Sequence, residues 1–129
     1  MSDAAQIKMV KLLQKGALIV LLFLSIIILL FALVSGSEAY GGGMEGIWAN
    51  KMNSLPWIGL LALVLIAYRN KILGGILLTF FGGFLVYFFN FTGQNFFLST
   101  FVMCMIVLLL GLVIWITGSY LKTANNQNL

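Results

Sequence analysis

The chain has no histidine, only one cysteine (Cys104), only one proline (Pro56), and three acidic residues, Asp3, Glu38 and Glu45. Without histidine it lacks the commonest general base and the commonest transition-metal ligand. A single cysteine excludes an intramolecular disulfide and a CxxC zinc site. Glu38 and Glu45 read as a solvated acidic loop rather than a carboxylate pair for acid–base work. No catalytic, metal-binding or cofactor-binding constellation emerges, so the expectation is a non-enzymatic protein without cofactors. Charge of either sign is scarce: 8% of the 129 residues are charged and 62% are hydrophobic. That is far from the composition of a water-soluble domain.

The net charge of +4 does not point to nucleic acid, because no basic patch interleaved with aromatics could track phosphates. The basic residues read instead as topology signals at the edges of long uncharged blocks. Residues 17–34 form the first block, apolar apart from Ser25 and roughly 27 Å long as a helix, close to a hydrocarbon core of about 30 Å. Ahead of it Lys8, Lys11 and Lys15 recur with Gln14 at helical spacing, which predicts a short interfacial helix. A basic lead, an apolar core and trailing small residues also describe a signal peptide. The run is longer than the roughly 7 to 15 residues of a usual signal core, which favours an uncleaved anchor.

Residues 35–54 make the one sizeable loop, whose centre Tyr40-Gly41-Gly42-Gly43-Met44-Glu45-Gly46 is flexible by composition. It lacks the strand, helix and GKS or GKT ending of a phosphate cradle. The second block, 55–68, opens on Leu55-Pro56 with Ser54 positioned to cap it, and is short at roughly 21 Å. Arg69-Asn70-Lys71 is a tight turn. The third block, 72–91, is roughly 30 Å long, and the fourth, 96–120, roughly 37 Å. Residues 122–129 read as a frayed polar tail.

A re-entrant second block would place Lys51, Arg69, Lys71 and Lys122 outside. With four spans, Lys8, Lys11, Lys15, Arg69, Lys71 and Lys122 share one side and only Lys51 lies opposite. The positive-inside rule prefers the second arrangement. The expected fold is therefore an all-α integral membrane bundle of four transmembrane helices in a single domain. It is multi-pass in the cell membrane, with both termini cytoplasmic and 35–54 outside.

The stretch from Leu55-Pro56 through Ile66-Ala67-Tyr68-Arg69 to Gly74-Gly75 resembles an uncharacterised family of small prokaryotic four-span membrane proteins. Members tend to have a proline at the start of the second helix, an aromatic-basic pair at its end and a Gly-Gly pair soon after. They often carry an acidic residue in the tight turn, where this chain has Asn70 and Lys71. The resemblance implies four spans, and an inner membrane, but no activity.

Inside the blocks the informative pattern is the spacing of small residues. Gly75, Thr79 and Gly83 are four apart, with Gly74 and Gly82 alongside; Thr100, Cys104, Gly111 and Gly118 share a face of the last helix. Such faces let helices approach closely in lipid. Internal packing is the simpler role, and a face for a membrane-protein partner or a second copy is the functional one. Nine phenylalanines between Phe80 and Phe101 are expected to face lipid or fill gaps. Asn90-Phe91-Thr92 matches a glycosylation sequon at the membrane edge.

No ionisable residue lies at mid-depth, which weakens a proton-coupled transporter. An interaction or accessory subunit is the leading expectation. A small oligomeric channel or transporter comes next, and a membrane enzyme last.

Overall fold

The computed structural model describes residues 3–127, and among these there is no strand. Five α-helices run in the order α1 (Asp3–Ser35), α2 (Gly43–Ala49), α3 (Leu55–Arg69), α4 (Lys71–Phe91) and α5 (Leu98–Gln127), with 3₁₀ turns at Ser37–Tyr40 and Lys51–Ser54. Four of them, counting α1 and α3 with their flanking turns, are long and apolar enough to cross a membrane.

The sequence pattern misplaces several boundaries. α1 is one unbroken helix of 33 residues, roughly 50 Å long, with no separate interfacial helix ahead of the apolar run. Nothing between Asp3 and Ser35 interrupts it, since Gly16, its one glycine, tolerates helix geometry at modest cost. α5 starts at Leu98, later than expected, and stays helical to Gln127 through the segment expected to fray. The short second block is lengthened by the turn at Lys51–Ser54, so that Lys51–Arg69 forms one run of 19 residues, roughly 30 Å. Pro56 sits in the first turn of α3, where its missing N–H costs nothing. Ser54 makes no cap bond to α3; it is 1% exposed and donates back to the Lys51 carbonyl at 2.6 Å.

Asn70 alone joins α3 to α4. Its extended backbone (φ −131°, ψ 102°) reverses the chain, and its Oδ1 accepts from Leu73 N at 3.1 Å. Capping a helix in this way suits Asn as well as Asp, so the turn keeps its function without an acidic residue.

The four long helices close a ring in which α1 packs on α3 and α5, and α4 packs on α3 and most extensively on α5. Leu21, Leu60, Leu78, Leu85 and Ile114 fill its centre and are fully buried. The outer surface is apolar too, with Leu12, Phe23, Phe31, Phe80 and Ile116 among the exposed side chains. That is the reverse of a water-facing surface, on which charged residues dominate. Both ends of the described chain and the Asn70 turn lie at one end of the ring, called the basic end below; residues 36–54 form a cap over the other.

Candidate functional site

The seam between α4 and α5 is built by removing side chains. A Cβ on Gly75 would stand 2.5 Å from Trp115 N, and one on Gly82 would stand 2.7 Å from Leu108 Cα. From the other side, a Cβ on Gly111 would meet Thr79 N at 2.8 Å, and one on Gly118 would meet Lys71 Cβ at 3.1 Å. Thr79 donates its hydroxyl to Gly75 O at 2.7 Å, so its polar group is spent on its own helix. Cys104, 1% exposed, lies deep in the same seam with its thiol beside the Asn90 side chain of α4. Gly74 serves a different neighbour: a Cβ there would collide with the Ala67 backbone across the α3–α4 hairpin.

Gly83 lies off this seam, and a Cβ added to it would find open space, with nothing within 4 Å. The reason is angular. At 100° per residue, Gly82 falls about 20° from Gly75 on the helix wheel, whereas Gly83 falls about 80° away. The contact line repeats every seven residues, through Gly75 and Gly82 on one helix and Cys104, Gly111 and Gly118 on the other, as in antiparallel helices crossing at a shallow angle.

Where α1 joins the ring, polar side chains take over. Gln14, 8% exposed, donates from Nε2 to Thr117 Oγ1 at 3.2 Å, and Thr117 in turn donates to Val113 O at 2.6 Å. Ser25 is fully buried and donates to Leu22 O at 2.9 Å. Grouping Gln14 with the surface lysines misses this inward role. Its signal was the register Gln14, Leu18, Leu21, Ser25, Ile28, the buried line of α1. Asn90 is 4% exposed and donates to Val86 O at 2.8 Å, while its Oδ1 is left without a hydrogen-bond partner. So enclosed an asparagine is a poor glycan acceptor, whatever the sequon.

The cap is folded, contrary to its composition. Gly41, Gly42 and Gly43 hold consecutive positive φ angles of 91°, 72° and 65°, a path that only glycine follows cheaply. Asn50 ties the cap down by donating to Ala32 O at 2.8 Å and Leu33 O at 3.1 Å in the last turn of α1. Ser37 donates to Val34 O at 2.7 Å. Gly36 and Gly46 leave room for Asn50 and Ser37, since a Cβ on either glycine would run into the Asn50 side chain or the Ser37 carbonyl. The outward side carries Tyr40, Met44, Trp48 and Met52, all exposed, with Lys51 Nζ 4.4 Å above the Trp48 ring, a cation–π contact.

Under the cap lies a cleft of about 510 Å³. Ile28, Phe31 and Met103 form walls, and the stacked rings of Trp57 and Phe89, 5.3 Å apart, form another. Ser35, Asn53 and Thr100 supply its polar groups; no titratable side chain lines it. The cleft therefore offers packing and hydrogen bonds but no acid–base chemistry. Among the described residues no three His, Cys, Asp or Glu side chains gather as metal ligands would.

The basic residues separate cleanly. Lys8, Lys11 and Lys15 on α1, Arg69 and Lys71 beside the turn, and Lys122 on α5 belong to the basic end, and Lys51 belongs to the cap. Lys71 donates to the Tyr68 carbonyl and lies 5.9 Å from that ring.

These features define an all-helical protein with four helices apolar and long enough to cross a membrane, compatible with a multi-pass membrane protein. The chain belongs to the family described as a domain of unknown function, DUF7670, which it matches over residues 6–128. No curated protein and no solved structure matches it.

Proposed function

We propose that this chain is a four-span membrane bundle acting as a non-enzymatic interaction or accessory subunit, with the basic end in the cytoplasm and the cap outside. One observation carries the reading: the interior is closed and chemically quiet. Leu21, Leu60, Val64, Leu78, Leu85 and Ile114 fill the ring with no exposure, and the hydroxyls of buried Ser25 and Thr117 and of half-buried Thr79 are spent on helix carbonyls. A site for turnover or a proton path would need ionisable groups at that depth. What remains available to other molecules is the outside of the ring, the folded cap and the cleft beneath it. The resemblance to small prokaryotic four-span proteins supports an inner-membrane location.

Purification in mild detergent from native membranes, followed by identification of co-purifying chains, tests this reading. A stoichiometric membrane partner is expected. Recovery of a homo-oligomer alone would favour a small channel or transporter, whose path would run between copies, since the ring of one copy is filled. Reporter fusions at residues 70 and 129 should both read cytoplasmic; an external reading at either would overturn the four-span arrangement.

A further inference from the structure

At the basic end, α1 and α5 continue beyond the Asn70 turn. Their flanks border an open cavity of about 430 Å³ lined by Ile7, Lys11, Leu121, Lys122, Ala124 and Asn125, with both lysines and the asparagine exposed. Lys11 of α1 and Lys122 of α5 thus line one space together with Asn125, and no Asp or Glu of the described residues lines it. Neither lysine has an ion-pair partner among the described residues. Lys8, Lys15, Arg69 and Lys71 add positive charge at the same end, and Asp3 is the sole acidic residue of the described part there. Like charges held together near an apolar surface repel, and a shared anion converts that repulsion into attraction.

We propose that this cavity holds the phosphate of one anionic phospholipid, with Lys11 and Lys122 as its ligands and Asn125 as a hydrogen-bond donor. The mixed walls select the class of anion. Ile7, Leu121 and Ala124 offer apolar surface to the glycerol and upper acyl carbons beside the two cations. Basic pockets between helices at the cytoplasmic face are suited to such headgroups. A soluble phosphate would gain nothing from the apolar walls. The proposal rests on the four-span reading.

The test is native mass spectrometry of the full chain released from phosphatidylcholine nanodiscs doped with phosphatidylglycerol. One phosphatidylglycerol should be retained per chain in preference to phosphatidylcholine. Replacing both ligands, Lys11→Gln with Lys122→Gln, should lower that retention about tenfold. Lys8→Gln with Lys15→Gln removes the same charge from the same end without touching the cavity walls. It should change retention by no more than about twofold, as a screened surface effect. Lys11→Arg with Lys122→Arg, which keeps both charges, should retain the lipid and so exclude misfolding as the cause of loss. Equal losses from the two glutamine pairs would reduce the effect to diffuse surface charge and overturn the site. So would no lipid preference in the unaltered chain, or displacement of the lipid by inorganic phosphate. A chain that refuses to incorporate into nanodiscs would instead count against the four-span reading.

Discussion

The α4–α5 seam and the seams of α1 hold helices together by opposite means. Between α4 and α5, glycines at Gly75, Gly82 and Gly111 bring backbones together, and any side chain added there meets main-chain atoms of the neighbour, while one added at Gly118 meets the side chains of Lys71 and Ile72. Around α1, apolar side chains such as Leu18, Leu21 and Ile28 fill the contact, and polar side chains add the links, Gln14 to Thr117 at one end and Asn50 of the cap to Ala32 and Leu33 at the other. On the proposed membrane reading, no hydrophobic drive separates these strategies, and both draw on close packing and hydrogen bonds. The difference lies in tolerance. Backbone against backbone cannot yield, whereas a long side chain can find another rotamer or another acceptor.

Mutation can break that comparison. The largest effect is expected from Gly75→Leu and Gly111→Leu, each losing about 1 to 3 kcal/mol, the usual scale of overpacking, read as a lowered melting temperature in detergent. Leu109→Ala, at a half-exposed position on another face of α5, serves as the comparator and should matter less. Next comes Asn50→Ala, which strips two carbonyls of their donor and should cost about 1 to 2 kcal/mol. Faster hydrogen exchange confined to the cap and the last turn of α1 would locate the loss.

Smaller again is Gln14→Leu. Thr117 keeps its bonds to its own helix, so the expected cost is about 0.6 kcal/mol, the mean for single interhelical bonds in a membrane bundle. A loss as large as that of Gly75→Leu would erase the distinction between the seams. Gly83→Leu, one residue from Gly82 but facing open space, should stay within about 0.5 kcal/mol. At the bottom of the scale lies Cys104, whose thiol should resist maleimide in intact membranes and form no disulfide-linked dimer under mild oxidant. A strong Cys104–Cys104 cross-link would move the seam from the inside of one chain to a symmetric interface between two.

The long helices and the turn at Arg69–Lys71 were legible because uncharged blocks and basic punctuation leave few other arrangements. Choosing which glycines pack was harder. A spacing of four selects Gly75, Thr79 and Gly83, yet the contact follows a seven-residue period, and only the partner helix's Leu108 and Trp115, themselves seven apart, decide between them. The cap escaped composition altogether. A run of glycines reads as slack chain, but the order there comes from Asn50, Ser37, Gly36 and Gly46 meeting residues distant in sequence. Gln14 was visible in register and hidden by its neighbours, three lysines that made its segment look like surface.

The one-residue link at Asn70 bears on how this protein is made. α3 is the least apolar of the four candidate spans and carries a proline near its start, a weak signal for a translocon reading one segment at a time. On the four-span proposal, Asn70 leaves α3 little independence, because a one-residue link keeps it side by side with α4. Ala67 against Gly74 already gives the two helices a fitted contact. The pair is therefore suited to lateral release as a preassembled hairpin, and lengthening the linker with a flexible glycine-serine stretch should expose α3 as a poor inserter on its own.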